Sequence, residues 1–306
     1  MEPYRVWLSE VMLQQTTVAT VRPRFRRFIE RWPTISSLAA ADEADVLHEW
    51  AGLGYYARAR NLHACARAVA ERGGFPDNEG ALRQLPGLGA YTAAAVAAIA
   101  FGRPAAVIDT NVERVVARLA GIARPVAEAR TEIRAAVEAI VPADRPGDFA
   151  QAMMDLGATI CRPRAPDCPA CPLSADCVAF ASGAPEAFPA AKVRRARPHR
   201  HGIAWWIERG GALWLVRRPR RGLLGGMAAL PGPEWSDAVG APRGELARVA
   251  WGFTHFTLDM AAVAQAAPPE GEGWWQPLDR IAEAGLPSLY ARLVEAVLAR
   301  RCADAA

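Results

Sequence analysis

Three groups of residues in this chain have types and spacings that could do chemistry. Cys161-x6-Cys168-x2-Cys171-x5-Cys177 crowds four thiols into seventeen residues of a proline-rich loop. Four thiolates so placed satisfy either a tetrahedral zinc ion or an iron-sulfur cluster, with zinc slightly ahead on chemistry alone. No secretory signal opens the chain, so the crowding favours a metal site over disulfides. The other two cysteines, Cys65 in a helical pattern and Cys302 near the end, read as inert thiols. The second group is Glu10, the one charge between Arg5 and Arg22, in a run that is apolar nearly all round. On a helical wheel Val6, Leu13 and Thr17 flank it, and desolvation raises a carboxyl pKa towards neutrality. The third is Asp109, which follows a glycine-rich turn and an apolar segment.

The elements that must position these groups follow from pattern. Residues 5–20 read as one helix carrying Glu10. Leu85-Pro86-Gly87-Leu88-Gly89 turns tightly, its glycines letting the backbone approach a ligand, and Tyr91 to Phe101 reads as a buried helix stopped by Gly102 and Pro104. The free N–H groups and dipole of that helix point at one spot, which suits a phosphate held directly or through a bridging monovalent cation. Asp109 could be an N-cap, but Thr110-x-x-Glu113 is itself a capping box and would leave its carboxylate free. A basic amphipathic helix is expected at 23–31, shorter helices at 35–40 and 43–50, and further ones at 131–140 and 149–160. Arg24, Arg26, Arg27 and Arg31 read as a solvated face. The first half is thus an all-α bundle with Gly/Pro-punctuated links. After about residue 200 the composition changes. Gly202 to Arg218 reads as a β-hairpin about Gly210-Gly211, more strand-like pieces lie at 227–230 and 251–263, and a helix runs from 288 to 300, which together make a small α+β domain.

At 306 residues the chain accommodates two domains with real cores. No apolar run reaches bilayer-spanning length, so no membrane partner is expected and the location is expected to be cytoplasmic. The formal net charge is +4, with Lys192 the sole lysine among 36 basic residues. Arginine suits bidentate phosphate contacts, so this balance permits DNA binding without requiring it.

A glycine-rich hairpin, a helix, then an Asp about twenty residues on resembles the helix-hairpin-helix DNA glycosylase superfamily. The segment Trp7 to Thr16, the Gly52-Leu53-Gly54-Tyr55-Tyr56 run and the 6-2-5 cysteine spacing narrow the resemblance to the MutY family of adenine DNA glycosylases. The resemblance implies a multidomain protein. Residues 1–181 form a helical glycosylase domain containing the hairpin (85–109) and a 4Fe-4S loop (161–177). Residues 182–200 form a linker, and 201–302 a Nudix-like domain that recognises 8-oxoguanine. The spacing, read with the family, moves the metal assignment from zinc to one 4Fe-4S cluster on Cys161, Cys168, Cys171 and Cys177.

The roles implied are Glu10 as general acid at adenine N7 and Asp109 as stabiliser of the oxocarbenium-like sugar, assisted by Tyr91 and Asn111. Two acids with pKa values pushed apart serve glycoside hydrolysis in the same way. Leu13 and Gln151 are expected at the extruded adenine, though a polar helix-surface role suits Gln151 about as well. Gln15 and Tyr55 are expected to wedge into the duplex, with Leu53, Leu85, Gly87, Gly89, Arg162 and Arg164 meeting DNA. Phe253-Thr254-His255 falls where the family has Phe-Ser-His facing 8-oxoguanine. No Nudix box is found, so pyrophosphatase activity should be absent. The implied partner is duplex DNA with adenine opposite 8-oxoguanine or guanine, bound by a monomer associated with the bacterial nucleoid.

Two alternatives belong beside this reading. Endonuclease III relatives place a Schiff-base lysine where this chain has Tyr91, and no lysine precedes Lys192, so an amine nucleophile in the helical domain is excluded. A catalytically silent iron-sulfur protein predicts loss of one acid, and both are present. The family also carries a segment ending Leu-Pro-Trp-Arg before the Asp-Pro-Tyr that aligns with Glu2-Pro3-Tyr4. Met1 stands where that motif would be under way, so a late start codon or a truncation is expected; in the family the missing residues line the adenine pocket and pack on the cluster domain.

Overall fold

The computed structural model describes residues 2–191, 196–219, 222–237 and 244–304. Residues 192–195 of the expected linker, with Lys192, lie outside the described residues. The chain divides into two compact units, Met1–Leu53 with Arg58–Arg194, and Gly54–Ala57 with Arg195–Ala306.

The first unit is all-α, as its pattern implies. Pro3–Leu13 (α1) starts with proline at its first position, where a missing N–H costs nothing. The helix expected over 5–20 is not continuous. Gln15 takes φ +56°, and Thr17 caps a separate helix, Val18–Arg31 (α2). The cause lies far off in sequence: Arg58 Nη1 donates to the carbonyls of Val11 (3.1 Å) and Met12 (3.4 Å) at the end of α1. Acceptors that a continuing helix would satisfy are thereby met by a side chain. Ile35–Ala39 (α3) and Glu43–Glu49 (α4) follow, each with a side-chain cap. Arg31 pairs with Asp45 and Glu49 and Arg27 with Glu49, so part of the expected solvated face tethers α2 to α4.

Ala57–Arg72 (α5), the short Glu79–Leu82 (α6) and Ala90–Phe101 (α7) lead to Thr110–Leu119 (α8), Val126–Ile140 (α9), Pro146–Thr159 (α10) and Val178–Ala181 (α11). Helix α7 is alanine-rich, so neighbours approach it closely: α1 packs on it, as does α10. Glycines set how closely α10 can lie. A Cβ on Gly147 would sit 2.7 Å from the Ala98 carbonyl oxygen, and one on Gly157 would sit 2.6 Å from Asn111 Cβ. Helix α10 thus locks against α7 at one end and α8 at the other.

The second unit is α+β. His199–Trp206 (β1) pairs in parallel with a later strand, Thr257–Ala264 (β6), which is antiparallel to Glu245–Gly252 (β5), giving the order β1-β6-β5. Glu208–Arg209 (β2), Ala212–Arg217 (β3) and Ala228–Ala229 (β4) form a second sheet, with Trp274–Pro277 (β7) also on β3. The expected hairpin about Gly210-Gly211 is therefore only the short β2–β3 pair. The strand before it joins the other sheet, where it pairs with β6 along its whole length from His199 to Trp206. Ser288–Asp304 (α12) packs on β5 and β6, and Leu289, Tyr290, Leu293, Val294 and Val297 join the core. Among the described residues no helix is long and apolar enough to cross a membrane.

Candidate functional site

The two acids sit on α1, which packs on α7, and at the start of α8, which α10 ties to α7. Glu10, on the α1 face packed against α7, is 9% exposed. Tyr91, in the first turn of α7, donates its hydroxyl to Glu10 Oε2 at 2.7 Å and also lies 3.4 Å from Met154 Sδ on α10. Desolvation raises the Glu10 pKa, the Tyr91 hydrogen bond opposes the rise, and the negative charge of Asp109 adds to it. The Tyr91 phenol is raised in turn by burial and by Glu10, so it remains a donor at any physiological pH. The arrangement can hold a proton on one carboxyl close to a second.

Asp109 corrects one expectation. The Thr110-x-x-Glu113 box is not what caps α8; Asp109 itself is the N-cap, its Oδ1 accepting the Val112 N–H at 2.7 Å. The cap uses one oxygen and leaves the other in service. Oδ2 accepts from Asn111 Nδ2 at 2.8 Å, and Asn111 Oδ1 accepts from Arg114 Nη2 at 2.9 Å. The carboxylate is thus aimed by the helix it starts.

Arg114 was not singled out in the sequence, and it continues the chain of contacts. Its Nε donates to the Cys161 carbonyl at 2.7 Å and its Nη2 to the Gly157 carbonyl at 2.6 Å, so one guanidinium ties α8 to the end of α10 and to the thiol loop. One turn on, Arg118 is 3% exposed and donates to the carbonyls of Arg162 (2.8 Å), Pro163 (3.2 Å) and Phe188 (3.0 Å), with Cys161 Sγ at 3.3 Å. The local sign was arginine at i and i+4, in line with Thr110 on one face of the helix.

Cys161, Cys168, Cys171 and Cys177 are all reduced and half-buried, and line one small cavity with Arg118, Ile160 and Phe180. Burial and the other three thiols push the Cys168 pKa up. Four thiols lining one cavity can hold either a tetrahedral zinc ion or an iron-sulfur cluster.

The hairpin residues divide. Leu85 is buried, and Gly87 takes φ +75° with no room for a Cβ, which would sit 2.6 Å from Asn61 Cβ. Glycine at 87 is thus required by its left-handed φ and by the close approach of Asn61. Gly89 has open space around it and is the N-cap of α7, without a side-chain cap. Its amide end is free for the anion expected there. Gln15 is exposed, whereas Leu53 is 5% exposed and its carbonyl accepts from Arg58 Nη2 at 3.0 Å. Leu13 is half-buried, and Gln151 donates its amide back to the Gly147 carbonyl at 3.1 Å. Arg162 and Arg164 are exposed, and Arg162 already donates to the carbonyls of Thr159 (3.1 Å) and Ala165 (2.7 Å). Much of its hydrogen-bonding capacity braces its own loop.

In the second unit Phe253, Thr254 and His255 form the turn between β5 and β6. Thr254 and His255 are exposed, while the Phe253 ring stacks on Trp235 at 5.6 Å between centroids. Tyr55, with φ +48° and 55% exposed, belongs to this unit and shares a 2.8 Å hydrogen bond with the Thr254 hydroxyl.

Residues 8–142 match the family of HhH-GPD superfamily base excision DNA repair proteins, and residues 203–296 match the NUDIX domain. The chain is 39% identical over 267 residues to an adenine DNA glycosylase of Arabidopsis thaliana, aligning 74% of this chain with 42% of that one. To an adenine DNA glycosylase of Homo sapiens it is 36% identical over 285 residues, aligning 77% with 52%. The chain spans about half the length of these curated relatives. Among solved structures it is similar to a thermostable thymine-DNA glycosylase, with a TM-score of 0.54 and 31% identity, covering 59% of this chain and 85% of that one.

Proposed function

We propose that this chain, which matches the HhH-GPD superfamily of base excision DNA repair proteins and is similar to adenine DNA glycosylases, is itself an adenine DNA glycosylase and hydrolyses the N-glycosidic bond of adenine mispaired with 8-oxoguanine or guanine in duplex DNA. The observation that carries the reading is the buried Glu10 carboxyl, hydrogen-bonded by Tyr91 and raised in pKa beside the Asp109 carboxylate.

Adenine is a poor leaving group until a ring nitrogen is protonated, and the sugar left behind is electron-poor. Glu10, kept protonated by desolvation, delivers its proton to adenine N7 as the glycosidic bond stretches. Asp109, held by Val112 N–H and Asn111, keeps its charge beside the developing oxocarbenium centre. The phenol of Tyr91 carries no amine and cannot form a Schiff base, which supports a monofunctional hydrolysis in which water completes the reaction. Extrusion of the adenine leaves a gap in the duplex that the exposed Gln15 and Tyr55 suit. The free amides at Gly89 would hold a phosphate of the strand, and Phe253, Thr254 and His255 would face the base opposite.

Cys161, Cys168, Cys171 and Cys177 would hold one 4Fe-4S cluster, which would serve structurally by cross-linking the loop that carries Arg162 and Arg164. The protein acts in this reading as a monomer in the cytoplasm. Single-turnover adenine release tests it, on duplexes with adenine opposite 8-oxoguanine, guanine or thymine. Release confined to the first two and lost in Glu10→Gln supports the reading; release from all three alike, or retained activity in Glu10→Gln, overturns it.

A further inference from the structure

The parallel pairing of β1 with β6 sets His199 opposite Thr257 and His201 opposite Asp259. Residues two apart share a face of a strand, so all four side chains emerge from one side of the sheet. One ligand atom from each of His199, His201 and Asp259 lies within 4.8 Å of the other two. His199 Nε2 is 3.3 Å from Asp259 Oδ2, and the two imidazole rings meet edge to face at 4.7 Å. His201 Nδ1 is buried with no hydrogen-bond partner.

We propose that His199, His201 and Asp259 form a zinc(II) site on the second unit, with the remaining coordination position open to water. Two imidazoles and a carboxylate are a donor set suited to zinc, and bonds of about 2.0–2.1 Å at tetrahedral angles put ligand atoms about 3.3 Å apart. His199 and Asp259 already stand at that separation, so only a small rotation of the His201 ring completes the set. The Thr257 hydroxyl lies 2.7 Å from His199 Nδ1. Where the hydroxyl accepts the Nδ1 proton, His199 takes the tautomer whose Nε2 lone pair faces Asp259, the orientation a ligating histidine needs, and a cation between them takes up that pair. The other tautomer, with Nε2–H donating to Asp259, satisfies His199 without an ion but leaves the buried His201 Nδ1 unpaired. The bound ion would clip His199, the first residue of β1, to the central strand of its sheet.

The test adds zinc alone to the full-length protein with its cysteine loop loaded, after stripping by a chelating resin. Zinc retained against a competing chelator is measured for the wild type, His199→Asn, Asp259→Asn and the distant control His48→Asn. One equivalent in the wild type and control, with affinity lowered at least tenfold in both site variants and about tenfold in Thr257→Val, is the expected result. Zinc X-ray absorption should then show only nitrogen and oxygen scatterers at 2.0–2.1 Å. Equal retention by all variants, no retained zinc, or sulfur scatterers at about 2.3 Å would each overturn the proposal. Circular dichroism of the two site variants, each at a partly exposed position, separates lost ligands from lost folding.

Discussion

Replacing Tyr91 with Phe isolates the interaction that sets the proton affinity of Glu10. The Tyr91 hydroxyl donates to Glu10 Oε2 at 2.7 Å, and this bond lowers a pKa that desolvation raises. A hydrogen bond to a charged group is worth about 1.5–3 kcal/mol and a neutral one about 0.5–1.5, so the preference for the ionised form is about 1–1.5 kcal/mol. At about 1.4 kcal/mol per pH unit, Tyr91→Phe should raise the Glu10 pKa by about one unit. Glu10 acts in its protonated form, so adenine release falls as pH rises through that pKa. The expected profile of single-turnover rate against pH, for adenine opposite 8-oxoguanine, keeps its basic limb but moves it about one unit higher. The plateau at lower pH should drop modestly, because the ring stays in place while its polar contact is lost. A limb that stays put or moves lower would refute Glu10 as the titrating acid and Tyr91 as its regulator.

Further perturbations separate the acid from its supports. The raised pKa of Glu10 means that the folded chain retains a proton which the unfolded chain releases above about pH 4.5. The stability this contributes is fully present below that pH and is lost as pH rises through the folded value. Glu10→Gln should therefore be inactive yet melt higher than the wild type at pH 8, with the gap closing at pH 4 in differential scanning calorimetry. Gly157→Ala would push a methyl into Asn111, whose Cβ lies 2.6 Å from the added carbon. It should cost about 1–3 kcal/mol in denaturant titration and lower adenine release, because Asn111 orients Asp109. Arg114→Lys keeps the charge but loses the fork that reaches Cys161, Gly157 and Asn111 together. It should destabilise by about 2–3 kcal/mol and speed loss of visible absorbance from the loaded cysteine loop.

Local pattern carried much of this protein. The all-α character of the first unit, the buried Ala-rich helix ended by Gly102, the turn at Gly87, and the α+β character after residue 200 follow from periodicity and turn residues, which act within a few positions of one another. The burial of Glu10 was legible for the same reason, since a lone charge on an apolar helix has nowhere wet to go. The gathering of four thiols at one cavity was legible too, since their spacing confines them to one loop.

What the sequence could not decide was settled by contacts between residues far apart. The break after Leu13 depends on Arg58, 45 positions on from the helix end, taking carbonyls that a continuing helix would have kept. Asp109 capping its own helix while presenting its second oxygen to Asn111 is a matter of backbone angles at one residue, which a competing capping box obscured. The hairpin read from Gly202 to Arg218 failed because strand alternation specifies a face and not a partner, and β1 found its partner in β6, half a hundred residues away. Arg114 and Arg118 resembled ordinary helix arginines until α8 came to lie beside the cysteine loop. Sequence by itself determined which residues could bear a proton, a thiolate or a tight turn, because those are properties of side chains and near neighbours. Tertiary structure alone decided which of them meet, because hydrogen-bond acceptors and close-packed surfaces are supplied across the fold.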